Sequence, residues 1–182
     1  MAKTAAGPVV VALIGLPGAG KSTLARALEQ RLGLQRICRD AIRAAMFPHC
    51  AYTPAEKRAA FRALLAALEV NCALGRSSVL DGMTFSRRSD LAAVDAVVAR
   101  YPVRALPIHL DCPPALARQR IADDREPHPA GDRSPELVDA VLARFDAPRA
   151  ACAVIDARLP LTAMVEAALE LVAAWRDGDR PV

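Results

Sequence analysis

The stretch Gly15-Leu16-Pro17-Gly18-Ala19-Gly20-Lys21-Ser22 constrains this chain more than any other. It fits the spacing G-x-x-x-x-G-K-[ST]. A loop of this kind works through its backbone. Successive N–H groups line a concavity that takes a phosphate, and the helix that follows adds the positive end of its dipole. The glycines at 15, 18 and 20 let the chain turn tightly and approach the phosphate closely. The loop as far as Thr23 is therefore expected to bind the phosphates of a nucleotide. Lys21 should reach the β- and γ-phosphates, and the Ser22 hydroxyl should hold Mg²⁺. The flanks agree. Val9 to Ile14 reads as a buried strand, and Leu24, Leu28 and Leu32 give the next segment a helical apolar face ending near Gly33.

The rest of the chain is read around that loop. Its 182 residues suit one domain, 1–182. A net charge of +4 favours anionic ligands and permits nucleic acid without requiring it. The five cysteines form no C-x-x-C pair, which argues against a disulfide framework or a zinc site and fits a reducing cytoplasm. No apolar run reaches membrane-span length, and the N-terminal apolar stretch leads straight into the phosphate loop, as a strand does and a signal peptide does not.

Three further places carry chemistry. Leu34 to Cys38 reads as a second strand, followed by Arg39-Asp40-Ala41-Ile42-Arg43. Asp40 would stand at the carboxyl end of that strand, where open α/β sheets place ligands, with Arg43 on the same helix face. One reading makes Asp40 the general base for an acceptor hydroxyl and Arg43 the grip on an anionic acceptor. The other makes Asp40 a helix N-cap and Arg43 a solvated charge. Ser78-Val79-Leu80 reads as a third strand, with Asp81 at its end as a second Mg²⁺ contact. Thr84-Phe85-Ser86-Arg87-Arg88 leads into a helix, and Arg88 is a candidate for the acceptor pocket. Val103 to Leu110 reads as a fourth strand, in which Pro107 predicts a bulge or a late start. A helix opening at Cys112-Pro113-Pro114 carries Arg118, Arg120 and Arg125. Arg118 and Arg125 are spaced to share a face ahead of a Pro-rich loop. This predicts a lid over about 118–132 whose arginines close on the nucleotide phosphates. Cys152 to Ile155 reads as the last strand.

In this order the motifs resemble the small P-loop kinases: polynucleotide 5′-hydroxyl kinases, adenylylsulfate kinases, the chloramphenicol phosphotransferase type and zeta-toxin-like sugar-nucleotide kinases. Arg39-Asp40-Ala41-Ile42-Arg43 looks most like the polynucleotide-kinase branch, where the matching Asp is the base and the matching Arg holds an acceptor phosphate. Asp81-Gly82-Met83-Thr84 departs from that branch, which has Asn at the position of Thr84. The resemblance implies a three-layer α/β/α P-loop NTPase fold with a five-stranded parallel sheet, order 2-3-1-4-5, and an arginine-bearing lid. It implies ATP- and Mg²⁺-dependent transfer of the γ-phosphoryl group to a hydroxyl of an anionic acceptor: a polynucleotide, a nucleotide, or a small molecule such as a sugar or antibiotic. Lys21, Asp40, Arg118 and Arg125 would be catalytic, with Arg120 beside the nucleotide. A regulatory GTPase is excluded, because Asn71, the only asparagine, is followed by Cys72 and cannot begin Asn-Lys-x-Asp. A motor ATPase would carry Asp-Glu where Asp81-Gly82 stands. A nucleotide-binding regulatory or toxin-neutralising module is the alternative.

Overall fold

β1 (Val9–Ile14) is buried along its whole length and sends alternate residues into two core layers. Val9, Val11 and Leu13 enter one layer, and Val10, Ala12 and Ile14 the other. A strand covered on both faces has no polar side to show, which explains the unbroken apolar run. The structure, a computed structural model, describes residues 7–124, 131–146 and 152–178.

After β1 the chain forms α1 (Lys21–Leu32), β2 (Gln35–Cys38), α2 (Arg39–Met46), α3 (Pro54–Ala73) and β3 (Ser78–Asp81). There follow α4 (Arg88–Val98), β4 (Arg104–Asp111), α5 (Pro114–Asp123), α6 (Glu136–Leu142), β5 (Ala153–Asp156) and α7 (Leu161–Asp177). The five strands pair in parallel in the order β2-β3-β1-β4-β5, as the resemblance implied. Leu24 and Leu28 of α1 pack in one layer with Val138 and Val141 of α6 and Met164, Ala168 and Val172 of α7. Leu64, Leu68 and Cys72 of α3 meet Leu91, Val94 and Val98 of α4 in the other. All strands therefore point their carboxyl ends to one edge, where the loops after β1, β2 and β3 meet.

Local signals behave as their chemistry requires. Gly33 ends α1 with φ 66°, and Thr53 and Glu56 form a reciprocal capping box at the start of α3, with Pro54 in its first turn. Pro107 does neither thing expected of it. β4 starts three residues earlier, and its register with β1 runs without a bulge from Arg104 to His109. The Pro107 carbonyl faces Cys152 Sγ at 3.5 Å, on the β5 side, and pairing with β5 starts only at Ile108. The missing N–H thus falls where no partner strand requires it. Among the described residues, no helix is long and apolar enough to cross a membrane.

Candidate active site

Lys21 is the first residue of α1 and is buried, although it carries a charge. Its ammonium donates to the carbonyls of Gly15 (2.8 Å) and Leu16 (2.7 Å), folding the side chain back over the loop. Burial lowers its pKa from 10.5 to about 8, opposed by the carboxylates of Asp81 and Asp40. The loop is pressed from outside by α5. A Cβ on Gly18 (φ 82°) would lie 2.3 Å from the Ala117 carbonyl oxygen.

Ser22 and Asp81 meet across the sheet edge. The Ser22 hydroxyl donates to Asp81 Oδ1 at 2.7 Å, and the Gly82 N–H donates to the same oxygen at 2.7 Å. Arg36 of β2 takes the other oxygen, with Nη1 at 3.0 Å from Oδ2, and is itself held by Glu29 of α1 at 3.1 Å. A hydroxyl and a carboxylate oxygen this close are hard donors of the kind Mg²⁺ takes. Among the described residues no three His, Cys, Asp or Glu side chains cluster as a metal cage. Ser22 and Asp81 would therefore hold Mg²⁺ only together with phosphate and water oxygens, as nucleotide sites do.

Asp40 stands on α2 at the carboxyl end of β2, buried against the loop after β3. Gly82 (φ 73°) makes that approach feasible, since a Cβ there would lie 2.8 Å from the Asp40 amide nitrogen. The capping reading fails: Cys38 occupies the N-cap, Asp40 is the second helical residue, and no side chain caps the helix. Asp40 Oδ1 instead takes both Arg43 Nη1 (3.0 Å) and Arg39 Nη2 (3.1 Å). Its Oδ2 has no hydrogen-bond partner among the described residues.

Arg43 is neither solvated nor turned to the cleft. It is 1% exposed, and its guanidinium lies 4.6 Å from the centre of the Tyr52 ring. Tyr52 holds a left-handed backbone, φ 56°. Its hydroxyl accepts the Gly131 N–H at 2.5 Å, while Lys57 reaches Asp132 at 2.8 Å. The start of α3 is thereby tied to the segment that precedes α6.

The cleft between these groups is lined by the phosphate loop, Arg26, Arg39, Asp40, Lys57, Met83, Thr84, Asp132, Arg133 and Arg144, among others. Arg88 is not in its wall. It is exposed at the first turn of α4, its N–H bonded to Asp146 Oδ2 at 2.7 Å, and Arg144 stands at the cleft instead. Nor are the α5 arginines. Arg118 pairs with Asp139 of α6 at 2.5 Å, and Arg120 donates to the Ala157 carbonyl at 2.9 Å. α5 ends at Asp123. Arg125 and most of the expected lid loop lie outside the described residues.

A family model described as an AAA domain matches residues 10–149. The chain belongs to that family. Among curated protein sequences, none matches this AAA-domain chain. Solved structures that share its fold include a sugar kinase from Janibacter sp. HTCC2649, 22% identical, TM-score 0.68, covering 96% of this chain and 99% of that one. A gluconokinase from Sinorhizobium meliloti 1021 is 19% identical, TM-score 0.70, with 94% of each chain covered. The Mycobacterium tuberculosis APS kinase, in complex with AMPPNP and APS, is 18% identical, TM-score 0.68, covering 94% and 99%. The fold is that of the small P-loop kinases.

Sequence reasoning passed over Arg36, Tyr52, Arg133 and Arg144. None of these sits in a motif, and their roles come from side chains that cross between elements. Arg39 had a signal, since it adjoins Asp40 at the end of β2.

Proposed function

We propose that this AAA-domain chain is an ATP- and Mg²⁺-dependent kinase that transfers the γ-phosphoryl group to a hydroxyl of an anionic acceptor. The observation that carries this reading is the pairing, across one cleft, of a complete phosphate loop with a buried carboxylate whose second oxygen is unpartnered. Among the described residues Asp40 Oδ2 faces no donor, so it can accept the acceptor's proton. In the transfer, the bond from the γ-phosphorus to the β,γ-bridging oxygen breaks and one from phosphorus to the acceptor oxygen forms. ADP leaves, and the hydroxyl proton passes to Asp40. Lys21, released from the Gly15 and Leu16 carbonyls, would turn to the phosphates as a point charge. Ser22 and Asp81 would hold Mg²⁺ together with the nucleotide, where the ion would neutralise phosphate charge. The rate would come chiefly from positioning and charge.

A regulatory nucleotide-binding module would need the phosphate loop but no base. The experiment is a screen for ATP consumption with nucleotides, oligonucleotides, sugars, sugar acids and antibiotics as acceptors. A kinase consumes ATP faster with its acceptor present. A rate that no acceptor raises, with nucleotide binding intact, would leave the module reading in place.

A further inference from the structure

The acceptor's chemical class can be narrowed from the cleft wall. Of its cations, Lys21 and Arg26 stand on α1 beside the phosphate loop, and Lys57 and Arg133 are committed to Asp132 and Asp124. Away from the phosphate loop, Arg39 and Arg144 are the ones with capacity left. Arg39 spends one nitrogen on Asp40, and its buried Nε has no partner. Arg144 makes no ion pair among the described residues. Both adjoin the loop after β3: a Cβ on Gly82 would lie 3.1 Å from the Arg39 amide nitrogen, and Asp146, two residues after Arg144, donates its N–H to the Ser86 carbonyl at 2.8 Å. Arg43, which the resemblance would have hold an acceptor phosphate, is sealed beneath Tyr52.

No Phe, Tyr or Trp lines the cleft. The seven all belong to described residues, since none falls in residues 1–6, 125–130, 147–151 or 179–182. Phe61, Phe85 and Tyr101 belong to a core layer, and Trp175 lies under Arg104. Single strands and flipped bases are held largely by stacking on aromatic rings. This cleft offers no such platform. Its apolar wall is aliphatic, formed by Met83, Leu137 and Val141.

Resting on the kinase reading above, we infer that the acceptor is a small aliphatic polyol bearing a compact oxyanion (carboxylate or phosphate), held by Arg39 and Arg144, and not a nucleic acid. The oxyanion sits between the two guanidiniums, whose planar forks match either group. The carbon chain lies on Met83, and a hydroxyl reaches Asp40 Oδ2.

The test is steady-state ATP consumption with a hexonic acid, a hexose phosphate, a neutral hexose and a 5′-hydroxyl oligonucleotide. Parent, Arg39→Met and Arg144→Met are compared, and binding of a non-hydrolysable ATP analogue is measured alongside. The acid or the phosphate should exceed the neutral hexose in kcat/KM by about 10- to 100-fold, as loss of a charge-assisted contact implies. The better of the two identifies the oxyanion. Each variant should raise that acceptor's KM by about tenfold or more and shrink the preference over hexose, with analogue affinity within about twofold. A preferred oligonucleotide, an equally good neutral hexose, or two variants with parental KM would overturn the inference and leave the kinase reading standing. Analogue binding with no acceleration by any acceptor would remove both.

Discussion

Arg36 of β2 holds Asp81 of β3 by the oxygen that Ser22 does not use: Nη1 stands 3.0 Å from Oδ2, while Ser22 Oγ stands 2.7 Å from Oδ1. Glu29 anchors the same guanidinium to α1. The carboxylate is therefore held by both oxygens and presents Oδ1 to the Ser22 hydroxyl. Without Arg36 a carboxylate that is 2% exposed would lose its counter-ion and the contact that fixes Oδ2. The ratio of ATP-analogue affinity with Mg²⁺ to that with chelator isolates what the metal contributes. Both Asp81→Asn and Arg36→Met should lower this ratio by about tenfold, the scale of a lost charge-assisted contact, with Arg36→Lys falling between. If Asp81→Asn leaves the ratio alone, the metal does not use Asp81. If only Arg36→Met leaves it alone, Arg36 is merely structural.

Lys21 ties nucleotide binding to pH. Its ammonium titrates near 8 in the empty loop because burial disfavours the charge. Phosphate oxygens favour the charged form, so the bound state has the higher pKa. Between the two values the free protein has lost a proton that the complex keeps. Binding above pH 8 therefore takes up a proton, and affinity falls as pH rises through that window. Calorimetry at pH 9 in two buffers of different ionisation enthalpy should show uptake approaching one proton. Lys21→Met should show none, and should bind the analogue far more weakly. Equal heats in both buffers for the parent would contradict this.

Asp40 and Arg43 should separate cleanly. Asp40→Asn preserves an acceptor oxygen for the two arginines, so the fold should stand while kcat drops by about 10²- to 10⁴-fold at unchanged analogue affinity. Arg43→Met removes one member of a buried pair and should cost stability, roughly 3–5 kcal/mol, because Asp40 loses its buried partner. A selective rise in acceptor KM at parental stability would return Arg43 to the acceptor. The measurements are denaturant melts beside steady-state kinetics.

Two glycines with similar backbone angles should respond very differently to alanine. Gly33 (φ 66°) has open space where a Cβ would stand, so Gly33→Ala should cost about 1–2 kcal/mol of stability for the left-handed backbone and leave nucleotide affinity unchanged. Gly18 (φ 82°) meets a backbone carbonyl at 2.3 Å. Gly18→Ala must push the phosphate loop away from α5, and analogue binding should be lost along with stability. Parental affinity in Gly18→Ala would show that the loop tolerates the shift.

The sheet order, the phosphate loop and the two strand-end carboxylates were legible because each is local: apolar runs, a fixed glycine spacing, an Asp at the last residue of a strand or just beyond. The arginines were not. Position along a helix points to Arg118, Arg120 and Arg88, but Arg118 pairs with Asp139, Arg120 donates to the Ala157 carbonyl, and Arg88 lies outside the cleft wall. Arg144 and Arg133 reach the cleft from either side of α6, whose packing no periodicity encodes. Arg43 was read correctly onto the Asp40 face, but its burial depends on Tyr52, a loop residue whose ring position follows from an uncommon φ. Pro107 shows the same limit in a strand, where the side its N–H faces decides the cost and only the neighbouring strand shows it.

The Gly15 N–H donates to the Thr84 carbonyl at 3.1 Å, joining the glycine-rich loop after β1 to the loop after β3. That link is made of main chain at both ends, so no exchange of side chains can delete it short of a proline at position 15. On the reading proposed above, the distance between donor and acceptor would be written in the backbone, and the acceptor's identity in Arg39, Met83 and Arg144. Mutation can rewrite the second without erasing the first. A lineage built on this scaffold could change what it phosphorylates by trading a few surface atoms, and keep the in-line approach intact throughout.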